Sequence, residues 1–139
     1  MKKFKRSSGI LVQNKNKILL CKRAPKENFK KKWSIPMGGI EGSETPIEAA
    51  YREFYEETNL KIEEPIDLIG FLNKVSKDQQ TKTGIVYVYF YETDDDNFLP
   101  DLKNAKDGHE HTECKYFSKD QNPLDQNNKD LISIIKKLK

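Results

Sequence analysis

The chain has 139 residues, a mass of 16.2 kDa and a formal net charge of +3 at neutral pH. That length suits a single domain, 1–139, with one sizeable core, and excludes two large ones. The longest near-continuous apolar run, Ile85 to Tyr91, falls far short of a membrane helix, and Ile10-Leu11-Val12 is too short for a signal-peptide core, so a cytoplasmic protein with no membrane association is expected.

In chain order, Gly9 to Val12, the polar stretch Gln13 to Lys17 and Ile18 to Cys21 read as strand, turn, strand. Ala24 to Lys32 is basic and irregular. Trp33-Ser34-Ile35-Pro36 reads as a short strand, and Met37 to Ser43, with three glycines, as a loop. A helix follows. Thr45 suits the N-cap, Pro46 the first helical position, and Glu48 completes a Thr-x-x-Glu capping box. Asn59 suits the left-handed position that ends it. Ile66 to Leu72 and Ile85 to Glu92 read as strands joined by a long connection, Asn73 to Gly84. Asp94 to His111 reads as an acidic loop in which Asp94-Asp95-Asp96 is a solvated turn. Cys114 to Phe117 reads as a last strand. Leu131, Ile134, Ile135 and Leu138 fall at helical spacing, so a terminal amphipathic helix is expected over Asn128 to Leu138. This order predicts an α+β domain, an α/β/α sandwich.

Cys21 and Cys114 lie far apart and read as two separate buried thiols, neither a disulfide framework nor a CxxC metal site. His109 and His111 lack cysteine partners at zinc-finger spacing. The charge is lopsided. Residues 1–33 hold twelve Lys or Arg and one acid, Glu27, whereas residues 34–139 hold thirteen Lys or Arg and twenty-one acids. A basic third beside an acidic remainder suits an anionic ligand that also needs a cation.

On the Thr45-capped helix, Glu53, Glu56 and Glu57 fall within an arc of about 100°. Ile47, Ala50, Tyr51, Phe54 and Thr58 form an adjoining, largely apolar face. Like charges at these spacings oppose each other by a few tenths of a kcal/mol per pair, and Arg52, four residues before Glu56, offsets part of that. A hard divalent cation, which takes carboxylate oxygens and substrate phosphates, would explain the rest. The glycines before the helix allow backbone to approach cation and phosphate.

The stretch from Gly38 to Leu60 resembles the Nudix hydrolase signature: Gly38, five residues, Glu44, seven residues, then Arg52-Glu53-Phe54-Tyr55-Glu56-Glu57-Thr58, Asn59 and Leu60. Asn59 stands where the signature has its last glycine. Met37 stands where relatives often carry another glycine. The resemblance implies the Nudix sandwich with a mixed β-sheet and hydrolysis of a pyrophosphate bond in a nucleoside diphosphate derivative, with Mg²⁺ or Mn²⁺. It implies Glu53, Glu56 and Glu57 as metal ligands, with a backbone carbonyl of Met37 or Gly38. Arg52 would orient the carboxylates, and Glu44 would hold the loop. The general base would be Glu53 or a later-loop glutamate, with Glu110 first and Glu113 second. Arg23 is a candidate for phosphate, and Trp33 and Phe29 for stacking on a base. Met37 and Gly39 would line the substrate pocket.

Markers for ADP-ribose, dinucleoside-polyphosphate and coenzyme A substrates are missing. A (deoxy)nucleoside triphosphate pyrophosphohydrolase is the first expectation. An enzyme trimming the 5′ end of RNA is the second, since Pro36 to Ile40 is similar to Pro-Gln-Gly-Gly-Ile of bacterial RNA pyrophosphohydrolases and Lys30, Lys31 and Lys32 suit a polyanion. A nucleotide- or RNA-binding module with a dead site is a third, disfavoured because all four box glutamates and Arg52 are present. The sequence leaves monomer or homodimer open.

Overall fold

The computed structural model describes residues 4–24, 32–76, 78 and 80–138. The basic stretch at 25–31, with Phe29, Lys30 and Lys31, lies outside the described residues. Seven strands form one mixed sheet: β1 (Lys5–Asn14), β2 (Lys17–Arg23), β3 (Trp33–Ser34), β4 (Met37–Gly39), β5 (Asp67–Val75), β6 (Lys82–Thr93) and β7 (His111–Ser118). The helices are α1 (Pro46–Thr58) and α2 (Lys129–Lys136).

β1 is the spine. It runs parallel to β6 over its whole length, from Lys5 opposite Gly84 to Asn14 opposite Thr93. Its last two residues pair with β2, and Ser7 to Gly9 pair with β4. Helices cover both of its faces, so its apolar residues form a continuous run rather than an alternation. Leu11 packs with Leu72, Val86, Val88, Leu131 and Ile135 beneath α2; Ile10 and Val12 pack with Ala50, Phe54 and Tyr89 beneath α1. This is the expected α/β/α sandwich. No helix among the described residues is long and apolar enough to cross a membrane.

The capping box forms as expected. Thr45 Oγ1 accepts from the Glu48 N–H at 3.3 Å, and the Glu48 carboxylate accepts from the Thr45 N–H at 2.9 Å. Asn59 ends α1 at φ 63°, and its N–H reaches the Tyr55 carbonyl.

Three expectations are corrected. Met37–Gly39 is a strand, not a loop, because main-chain pairing with β1 needs no side chains from the two glycines. The long connection before β6 shrinks to residues 76–81, since β5 and β6 extend as a hairpin closed by Ser76 N–H on the Thr81 carbonyl. Cys21 and Cys114 are joined as a disulfide, not separate thiols. They face each other across β2 and β7, Cα to Cα 4.0 Å, despite 93 residues of separation. Strand pairing alone creates that contact, and spacing along the chain does not reveal it.

Asn59→Gly should leave stability within a few tenths of a kcal/mol. Asn59→Val should lower it by about 1–2 kcal/mol, since a β-branched side chain opposes the left-handed conformation. Urea unfolding of the two variants checks this.

Candidate functional site

The site lies where α1, β4, the end of β2 and the turn before β7 meet. Arg52 organises it. Its Nε and Nη2 donate to the two oxygens of Glu44 at 2.6 and 3.0 Å, a fork-to-fork pair. Nη1 donates to Glu53 at 2.9 Å and Glu56 at 3.0 Å, and Nη2 also donates to the Gly39 carbonyl at 2.9 Å. One side chain thus ties the glycine strand to the carboxylate face of α1. The Arg52 hydrogen bonds, followed by the Glu41 N–H, hold the Glu44 carboxyl below the usual range.

Gly38 lies against Glu53. A Cβ at this position would come within 2.0 Å of the Glu53 carboxyl carbon. Only glycine lets main chain and carboxylate approach so closely.

Glu57 sits deepest, 2 % exposed, and its Oε2 has no hydrogen-bond partner. Burial, then the hydrogen bond with Glu53 and the charges of Glu110 and Glu53, push it up to about 9; Arg23 works against this. His111 Nε2 stands 3.5 Å from Glu57 Oε1. Burial and the Arg23 charge lower the His111 pKa to about 4, so at neutral pH this contact is not an ion pair. A buried carboxylate with an unpartnered oxygen, beside two more carboxylates and a glycine cradle, fits a divalent cation.

The turn Gly108–Glu110 closes the site. The Asp107 N–H bonds the Glu56 carbonyl at 2.7 Å, and the Ala24 N–H bonds the Glu110 carbonyl at 2.9 Å. Glu110 is therefore pinned between α1 and β2. Gly108 sits so close to the Leu102 carbonyl that a Cβ would approach it to 2.0 Å. Ligand atoms of Asp107, His109 and Glu110 lie within 4.8 Å of one another.

A cleft of about 460 Å³ opens over these groups. Glu53, Glu110, Arg23, Met37, Gly38 and Gly39 line it, six positions singled out from the sequence. Lys5, Lys74 and Asp107 line it too and were not singled out. Asp107 stands beside the DGHEH stretch that drew attention to Glu110. The two lysines carry no local signal, because only the pairing of β1, β6 and β5 brings their strand ends together. Trp33 is set aside from this cleft. It meets Phe117 edge-to-face at 4.9 Å, lies under the Lys22 ammonium at 5.9 Å, and lines a neighbouring cleft with Arg23, Met37 and Glu57. Glu113 faces Lys22 across the strands, and Asp94 to Asp96 form an exposed turn.

The NUDIX domain family model matches residues 3–138. The chain belongs to the NUDIX domain family. An RNA pyrophosphohydrolase from Pelagibacter ubique is 46% identical over 54 residues, which are 38% of this chain and 33% of that protein. The match thus spans about a third of that relative's length. The MutT NUDIX hydrolase structure from Burkholderia pseudomallei superposes with a TM-score of 0.76 at 18% identity, over 99% of this chain and 100% of its own. The MutT protein of Methanosarcina mazei Go1 superposes at 0.70 with 23% identity, over 97% and 92%. These two likenesses establish the NUDIX fold.

Two outcomes follow for the NUDIX site. In metal-free protein, Glu57 keeps its proton in the folded state between about pH 4.5 and 9, so stability falls as pH rises through that window. The depressed His111 pKa acts the other way between about 4 and 6.5, so the net fall should show above pH 6.5. Thermal unfolding from pH 6.5 to 9 should show this slope, Glu57→Gln should flatten it, and added Mg²⁺ should reverse it. Gly38→Ala should displace Glu53 and weaken Mn²⁺ binding roughly 10- to 100-fold, read by calorimetry.

Proposed function

We propose that this chain is a metal-dependent hydrolase that cuts a phosphoanhydride bond in the 5′-triphosphate of a nucleotide. The observation that carries the reading is a cleft lined at once by carboxylates, Glu53 of α1 with Asp107 and Glu110, and by the cations Lys5, Arg23 and Lys74. Glu53, Glu56 and Glu57 would hold Mg²⁺ or Mn²⁺, with the main-chain carbonyl of Gly38 or Met37. A bound cation supplies charge neutralisation at the phosphoryl oxygens and an acidified water.

The chain's own residues do the rest. Arg52 and Glu44 hold the carboxylates in place before substrate arrives. Glu110 takes the proton of the attacking water, and its pinned backbone sets the distance over which it does so. Glu53 is the competing candidate for that proton. Arg23 binds an inner phosphate of the substrate. Met37 and Gly39 shape the cleft floor, and Trp33 bounds the side where the nucleoside leaves it.

A free nucleoside triphosphate and the 5′ end of an RNA share this chemistry. One observation favours the RNA: the Pelagibacter ubique relative carries the name RNA pyrophosphohydrolase.

Phosphate and pyrophosphate release should be measured with Mg²⁺ and with Mn²⁺. The panel should hold dNTPs, oxidised guanine nucleotides, dinucleoside polyphosphates, ADP-ribose and 5′-triphosphorylated RNA. The RNA should be preferred by about a hundredfold in kcat/KM, ~2.7 kcal/mol of transition-state binding. A mononucleotide preference would instead make this a nucleotide-pool enzyme. On the preferred substrate, Glu56→Gln and Glu57→Gln should each lower kcat by about 10²–10³ or more with the fold intact by circular dichroism. Near-normal turnover in either would overturn the metal assignment.

A further inference from the structure

Three cations, Arg23, Lys74 and Lys5, line the cleft. Arg23, at the end of β2, is close enough to the buried carboxylates for its charge to favour ionised Glu57. Lys74, near the end of β5, lines both this cleft and a neighbouring groove, and Lys5 begins β1. All three side chains line the same cleft as Glu53 and Glu110. Arg23 and Lys5 both act on Lys74 as like charges. Among the described residues, neither Lys5 nor Lys74 has an acidic partner, whereas Lys15, Lys61, Lys106 and Lys115 each have one. Although Lys74 is exposed as a residue, burial of its charged group, followed by Arg23 and Lys5, lowers its pKa.

Arg23 and Lys5 converge on Lys74 as like charges, and an anion bound between them offsets that repulsion. The fold does not require them there. β5 and β6 pair through main chain, and Lys74 stands opposite a glycine, Gly84. An anion that meets Arg23, Lys74 and Lys5 in one cleft is multiply charged. A terminal phosphate, with roughly two negative charges and three acceptor oxygens, fits Lys74 and Lys5.

Resting on the phosphoanhydride hydrolase reading of this cleft, we propose that Lys74, assisted by Lys5, grips the outermost phosphate of the substrate and makes the site count phosphates, selecting 5′-triphosphates over 5′-diphosphates. Arg23 serves both classes, because the inner phosphate is common to them. A diphosphate reaches Arg23 and leaves Lys74 unpaired.

The test is a preference, which a merely structural role would not move. kcat/KM should be measured for 5′-triphosphorylated and 5′-diphosphorylated forms of one RNA, and for an NTP and its NDP. The comparison covers the wild-type chain, Lys74→Met and Lys74→Arg. Lys74→Met should lower the triphosphate value about thirtyfold and the diphosphate value less than about threefold, the scale of a hydrogen bond to a charged group. Lys74→Arg should restore most of the triphosphate preference. Equal losses on both substrates, or no loss on either, would overturn the proposal.

A second measurement needs no turnover. Calorimetry should show inorganic tripolyphosphate binding the wild-type protein about tenfold more tightly than pyrophosphate, with Lys74→Met erasing the difference. If that difference is present while no nucleotide is hydrolysed, the hydrolase reading fails and the phosphate-counting site stands. If hydrolysis proceeds and Lys74→Met leaves the polyphosphate difference intact, the phosphate-counting site fails alone.

Discussion

The site depends on one guanidinium. Arg52 engages Glu44, Glu53, Glu56 and the Gly39 carbonyl at once, all within 3.0 Å. Without it, three carboxylates on adjacent turns of α1 would repel one another, and β4 would have no side-chain tether to the helix. A planar fork of five N–H donors can satisfy several acceptors in fixed directions, whereas a lysine ammonium is a compact point charge. Glu44 matters for the same reason. It occupies two of the donors and so fixes the plane in which the others point. The loop between β4 and α1 is held by this pair rather than by packing, since Glu41, Gly42 and Ser43 are exposed.

Much of this was legible in the sequence because it is local. The capping box, the left-handed Asn59, the apolar face of α1 and the Arg52–Glu56 contact all lie within a few turns of one helix, where periodicity and spacing carry the information. The box glutamates stand out for the same reason. What stayed hidden is long-range. Lys5 and Lys74 meet only because β5 and β6 fold back beside β1. Cys21 meets Cys114 only through the β2–β7 register. The β4 strand reads as a loop because its glycines carry no strand propensity, and their value is the close approach they permit. Trp33 suits a substrate contact by residue type, and in the structure its ring packs edge-to-face on Phe117.

The interior of the site works against the fold around it. A carboxyl such as Glu57, 2 % exposed with an unpartnered oxygen, would be replaced by an apolar residue if stability alone mattered. His111, held neutral beside it, adds a second buried polar group with an orphan nitrogen. Both are tolerated because α1 is anchored elsewhere, through Ala50 and Phe54 in the core and the cap at Thr45. Strain at the carboxylates is thereby separated from the elements that hold the helix in position.

The parallel pairing of β1 with β6 has a consequence for how the molecule is made. β1 emerges during synthesis well before residues 84–93, its principal partner. Until then β2, β4 and α1 shelter part of its apolar run, and Leu11 lacks Val86, Val88 and the residues of α2. Such non-local pairing demands costly loop closure and slows folding. The glycine strand and α1 both pack on β1, so the carboxylate face of α1 takes its final place with that strand. A nascent chain truncated before β6 would hold every residue of the signature without the parallel partner of β1 or the turn that carries Glu110.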